Sequence, residues 1–314
     1  TRALLHTSPV HVPVFDAQEG IFAVAAEALA LGSEEGSVDP DYCLLVDEEG
    51  RFRAILSTRD LSDYLSRITR EDIELAGKIQ ERLLSGNEAI GGGDWALEAW
   101  SRSAKGVGGD FYFTRPLEDG RAFMALCDVS GKGVAASLVV SLAWGMLATC
   151  DFGKGLASLV KSLNQTVVEC FHLEKYLTGV FAIFDPAARR LSIADMGHSH
   201  ILVLRAGRSF VPKSDKMNLP IGIESGIEPR IASWLLSAGD RGMVYSDGLT
   251  EQVNQRGEEF GVKRLSSAAI EAFARGEELA SALPPAIDAF RGRTPQQDDM
   301  SFIALSLAAG PAVR

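Results

Sequence analysis

Four aspartates of this 314-residue chain stand at the ends of apolar, strand-like runs. Asp110 opens "FYF" after "GVGG", and Asp128 closes "AFMALC" before "VSGKG". Asp247 closes "GMVYS", and Asp298, with Asp299 beside it, precedes "MSFIALSL". One aspartate after a strand is ordinary turn chemistry. Four gathered at one sheet edge would repel each other, and burying them uncompensated is costly. A hard divalent cation removes that cost. With oxygen donors and no clustered His or Cys, Mg²⁺ or Mn²⁺ fits better than zinc.

Two other readings of these segments fail on their own residues. "SGKG" lacks the glycine that a Walker-type phosphate loop needs where Leu126 stands, and the Ser or Thr it needs where Gly133 stands. "GGDFY" approximates the diguanylate cyclase signature, but Phe111 replaces the required acid and "SDG" and "DDM" go unexplained.

The elements that must position these residues follow from the apolar pattern. Short strands fit 95–101, 109–114, 121–127, 178–185, 190–196, 200–205, 227–236, 241–246 and 300–307. Long helices fit 134–150 and 154–172, and more helix fits 262–291. Many strands with two helical blocks imply an α+β fold, a β-sandwich flanked by helices in α-β-β-α layers. Upstream, apolar residues at Leu65, Ile68, Leu75, Ile79 and Leu83 approach heptad spacing, which predicts a linker helix over 67–88 and a possible dimer seam.

Composition narrows the class. The net charge of −11, without a basic cluster, argues against nucleic acid as a partner. The run from Gly133 to Cys150 is broken by Ser137, Ser141 and Gly145 and is short for a bilayer span, so no membrane segment is read. Four widely spaced cysteines without a CxxC pair, and no secretory leader, fit reduced thiols in a cytoplasm.

The motifs "AGKIQERLL", "VGGDFY", "CDVSGKGVAASL", "DMGHSHILVL", "LPIGI", "VYSDGLTE" and "DDMSFIAL" carry a family resemblance. From about Leu75 to Leu307 the chain resembles the metal-dependent Ser/Thr protein phosphatases of the PPM superfamily, in their bacterial SpoIIE-type branch. The resemblance implies a domain over 89–314 with a two-metal centre of Asp110, Asp128, Asp247 and Asp298. Asp128 would bridge the ions and the Val129 carbonyl would add a ligand, with Asp299 beside the ligand set. Two such ions, about 3.5–4 Å apart, activate water for direct in-line hydrolysis of phosphoserine or phosphothreonine. Lys105 falls where relatives often carry a phosphate-contacting arginine. His198 and His200 fall in a strand-joining turn, which favours a structural role. Ser130 and Lys132 stand where eukaryotic relatives carry a histidine, which leaves the proton donor open. Gly106 and Phe113 depart from frequently acidic positions.

Residues 1–66, with "LLVDEEGRFRAILSTRDL" at their centre and Thr58 capping the next helix, resemble a single cystathionine-β-synthase-type (CBS) repeat. That resemblance implies a sensor for adenine nucleotides and, because one repeat leaves a face open, a homodimer. The expectation is a regulated phosphatase acting on a phosphorylated regulatory protein of the anti-sigma-factor-antagonist (STAS) type. The competing reading is a pseudophosphatase scaffold that holds a phosphorylated partner without turnover; the presence of all four aspartates argues against it.

Overall fold

The computed structural model describes residues 12–31, 42–84, 90–104, 106–212 and 218–308. The end of the expected linker, at 85–88, lies outside them. The chain divides into two compact units, Thr1–Ile73 and Glu74–Arg314, and the division falls inside its longest helix rather than at residue 66.

The first unit runs β1 (Val14–Asp16), α1 (Ile21–Leu31), β2 (Tyr42–Val46), β3 (Phe52–Ser57) and the start of α2 (Thr58–Leu84). β1 pairs parallel to β2, and β2 pairs antiparallel to β3. Phe15, Val24, Ala25, Ala28, Cys43 and Leu61 form its small core. Asp47 sets the β2–β3 turn, its Oδ1 accepting from the Glu49 and Arg51 amides at 3.2 and 2.8 Å. The cap of α2 is Ser57: the Asp60 amide donates to Ser57 Oγ at 2.9 Å, so the helix opens at Thr58, one residue earlier than a Thr58 cap implies.

Among the described residues, the second unit contains two sheets, the C-terminal part of α2, five further α-helices and one short 3-10 turn at Phe152–Lys154. Its elements are β4 (Ile90–Gly92), β5 (Trp95–Arg102), β6 (Asp110–Pro116), β7 (Ala122–Val129), α3 (Val134–Thr149), α4 (Leu156–Phe171), β8 (Leu177–Asp185), β9 (Arg190–Met196), β10 (Ile201–Arg205) and β11 (Arg208–Phe210). β12 (Ala232–Leu235), β13 (Arg241–Tyr245), α5 (Gly248–Glu251), α6 (Gly261–Arg275), α7 (Leu279–Arg291) and β14 (Met300–Leu307) complete it. One sheet has the order β11-β10-β13-β14-β5-β4, the other β12-β9-β8-β7-β6.

Period-two alternation sorts the side chains into three apolar layers. Phe111, Phe123, Ala125 and Cys127 face α3 and α4. Tyr112, Met124 and Leu126 meet Leu97, Ile303 and Leu305 between the sheets. Phe302 and Ala304 face α6 and α7. The expected α-β-β-α layering is therefore present. Its margins differ from expectation: β12 keeps four residues of the strand read over 227–236, and the helical block 262–291 breaks at Gly276, whose φ of 71° closes α6. The short edge strands β4 and β11 were too brief to carry a periodic signal.

Candidate metal centre

Register brings the aspartates together. In the β6–β7 hairpin, Asp110 lies directly opposite Asp128, and Thr178 of β8 flanks Asp128 on its other side. In the second sheet, β13 and β14 pair with Tyr245 opposite Phe302, so Asp247 and Asp298 both leave the sheet at that same end. The four expected residues thus come two from each sheet.

Their electrostatics show a cluster that its paired lysine, Lys132, only partly compensates. Burial pushes the Asp128 carboxyl up to about 7, helped by the charges of Asp247, Asp298 and Asp299. Burial, then the charge of Asp128, pushes Asp110 well above the carboxylate range, although the Ser246 and Ser301 hydroxyls lie against it. Asp110 Oδ2 is buried without any hydrogen-bond partner. A buried acceptor left unpaired among like charges is what a cation would satisfy, so the residues fit a divalent metal. Among the described residues, no three carboxylates, imidazoles or thiols already converge on one point. The cluster shares a neighbourhood without forming a closed shell.

Asp299, expected only as a neighbour of the ligands, holds the segment that leads into Asp110. Its Oδ1 accepts from Ser103 Oγ at 3.1 Å and the Ala104 amide at 2.8 Å, and its Oδ2 accepts from the Gly109 amide at 2.7 Å. A Cβ at Gly108 would lie 2.5 Å from Asp299 Oδ2, and one at Gly109 would lie 2.9 Å from the Val129 carbonyl oxygen. Both positions therefore require glycine.

Gln80 on α2 went unread in the sequence. Its side chain is buried, donating to the Gly108 carbonyl at 2.8 Å and accepting from the Gly108 amide at 2.9 Å. One turn earlier, a Cβ on Gly77 would strike the Gly106 carbonyl. The face of α2 that packs here contains Ala76, Gly77 and Gln80, whereas Leu75 and Ile79 of the heptad-like pattern are 58% and 52% exposed. The readable signal was a small-residue pair followed at helical spacing by one amide.

The remaining expected residues separate clearly. Lys132 pairs with Asp298 Oδ2 at 2.7 Å. Lys175 donates to the Ser130 carbonyl at 2.9 Å, and Ser130 Oγ accepts from the Tyr176 amide at 3.1 Å, which fixes the turn after Asp128. His198 is buried, and that burial drops its pKa to about 4, so it is neutral. Its Nε2 lies 2.8 Å from the Tyr245 carbonyl and so carries the proton, while Nδ1, 3.2 Å from Thr178 Oγ1, accepts. His198 thereby ties one sheet to the other. Lys105 lies outside the described residues. Gly106 has a φ of 80°, and Phe113 packs against Phe123 and Trp144, so local backbone and core packing account for both departures from acidic residues.

The fold built around this centre is the PP2C phosphatase fold. The SiaA-PP2C domain of Pseudomonas aeruginosa aligns with a TM-score of 0.63 over 77% of this chain and 98% of that one, at 17% identity. RsbX, solved in complex with magnesium, aligns at 0.52 over 70% and 99%, at 15% identity. The family model for stage II sporulation protein E (SpoIIE) matches residues 118–308, and the chain belongs to that family. The match includes Asp128, Asp247 and Asp298 and begins beyond Asp110. The phosphoserine phosphatase RsbP of Bacillus subtilis is 23% identical over 195 residues, covering 58% of this chain and 46% of RsbP. The chain spans about half the length of the curated relatives it matches.

Proposed function

We propose that the chain is a divalent-metal-dependent protein serine/threonine phosphatase. The observation that carries this reading is the register pair of buried Asp110 and half-buried Asp128, with the unpartnered Asp110 Oδ2, in a chain of the SpoIIE family. Asp110, Asp128, Asp247 and Asp298, with the Val129 carbonyl, would hold Mn²⁺ or Mg²⁺. When bound, such ions supply Lewis acidity toward phosphoryl oxygens and activate water at neutral pH. The chain supplies position and protonation. Asp299 and Gln80 hold the segment ahead of Asp110, Lys175 and Tyr176 hold the turn after Asp128, and Asp128 gives up its proton as a cation is taken.

The substrate in this reading is a phosphoserine or phosphothreonine on a regulatory protein of the STAS type, which rests on the family. The β–α–β–β–α order of the first unit is compatible with a CBS-like sensor module, and adenine nucleotide as its ligand class rests on that resemblance alone. The exposed Leu75 and Ile79 on α2 support a homodimer. No helix among the described residues is long and apolar enough to cross a membrane, and the acidic, CxxC-free composition supports a cytoplasmic setting.

Hydrolysis of p-nitrophenyl phosphate and of a phosphoserine peptide, each with Mn²⁺, Mg²⁺ or EDTA, tests the proposal. Turnover should require the metal and fall about a thousandfold or more in Asp128→Asn. Turnover that persists in EDTA, or that the variant retains, would refute it.

A further inference from the structure

The turn between Asp128 and α3 places a cation inside the carboxylate cluster. Lys132 Nζ lies 2.7 Å from Asp298 Oδ2, and both side chains are about half exposed, at 51% and 40%. Its charge reaches Asp247 and Asp299 as well as Asp298, and it opposes the upward push that those three exert on Asp128. Lys132 is therefore the counter-ion that the fold supplies to this cluster.

We propose that Lys132 is an exchangeable counter-ion: it pairs with Asp298 while the centre holds no divalent cation, and it turns to the substrate's phosphate once a cation has taken that carboxylate. The inference rests on the metal-centre reading above. A divalent cation carries twice the charge of an ammonium and coordinates carboxylate oxygen directly, so it displaces a half-exposed lysine that holds Asp298 by one contact. Gly131 and Gly133, with φ of 81° and 80°, flank Lys132, so the turn is set by glycine backbone rather than by the lysine's own pairing. The released ammonium, on a flexible four-carbon stem, then stands at the rim of a site whose substrate is dianionic. The chain carries a net charge of −11, so a phosphate approaching this end gains from a local cation. Lys175 is the less suitable group, because its ammonium already holds the Ser130 carbonyl at 2.9 Å.

The test is calorimetric titration of the full chain with Mn²⁺, together with kinetics on p-nitrophenyl phosphate, for wild type, Lys132→Gln and Lys132→Arg. Removing the competing charge should tighten Mn²⁺ binding about two- to fivefold in Lys132→Gln, the scale of a half-exposed ion pair. The same variant should raise KM about tenfold or more while kcat changes less than about threefold, and Lys132→Arg should restore most of the KM. Unchanged or weaker Mn²⁺ binding in Lys132→Gln, or an unchanged KM, overturns the exchange and leaves the metal centre standing. Wild-type protein that binds no Mn²⁺ overturns the exchange and the metal-centre reading together.

Discussion

Strand β13 has an aspartate at each end, and the two ends treat carboxylates in opposite ways. Ahead of the strand, Asp240 is buried and fully paired: Arg205 donates to both of its oxygens, at 2.7 and 2.5 Å, and the Ser237 amide donates at 2.7 Å. Burial would raise its pKa, but these bonds outweigh burial and hold it below the carboxylate range. Beyond the strand, Asp247 lies beside Asp110, Asp128 and Asp298; burial and neighbouring carboxylates raise Asp110 and Asp128, and Asp110 keeps an orphaned oxygen. The same residue type in the same sheet is a structural anchor where an arginine answers it. It is a functional group at Asp110, where the fold leaves a buried oxygen unanswered.

Substituting each carboxylate by its amide is the strongest way to break the contrast. Asp110→Asn should abolish metal-dependent turnover, by about a thousandfold or more, and raise the melting temperature in EDTA by removing a buried, repelled charge. Asp240→Asn should do the reverse: turnover per folded molecule holds, and stability falls by about 1–3 kcal/mol because the guanidinium loses its charged partner and one of the two acceptor oxygens becomes a donor amide facing donors. Thermal melts in EDTA and active-site-normalised kinetics separate the two. A destabilised Asp110→Asn would mean that the centre is built like the other end of β13.

A smaller effect probes the support rather than the cluster. Gln80→Leu strips the Gly108 amide and carbonyl of their partner and should cost about 1–3 kcal/mol. It should also lower turnover about 10–100-fold as the segment ahead of Asp110 loosens. Gln80→Glu keeps an acceptor for the Gly108 amide and should fall between, as read by steady-state kinetics beside urea unfolding.

The sequence made one side of this picture readable and concealed the other. Strand-end aspartates are legible because each interrupts a period-two apolar run, and those same runs, at β6, β7, β8, β13 and β14, define the sandwich. Asp299 and Gln80 are not legible, because their roles depend on which backbone groups fold back onto them from about 195 and 28 residues away. The role of Asp240 is not legible either, since nothing local shows that Arg205 reaches it. The heptad-like pattern on α2 marks the helix and its exposed Leu75 and Ile79. It does not mark the face packed on the segment ahead of Asp110, which is built from small residues and one amide, where close backbone approach outweighs side-chain hydrophobicity.

The pH dependence of stability gives the finest test. Folded Asp128 titrates near 7 against about 3.9 unfolded, so between those values the folded protein binds the extra proton, and stability falls as pH rises. His198 works in the other direction. Its folded value of about 4 lies below about 6.5 unfolded, so the unfolded chain binds the proton and stability rises across nearly the same window. Asp110, also raised, adds a second falling slope, so the wild-type profile sums all three groups and does not isolate Asp128. Asp128→Asn removes the falling slope of Asp128 itself, and its stability advantage over wild type in EDTA should grow by about 2 kcal/mol between pH 5 and 7. Saturating Mn²⁺ should erase that growth, because a cation at the carboxylate favours its ionised form in the folded wild type and is lost to the variant. An advantage that does not change with pH in EDTA would mean Asp128 is answered by a partner, as Asp240 is, and the contrast between the two ends of β13 would fail.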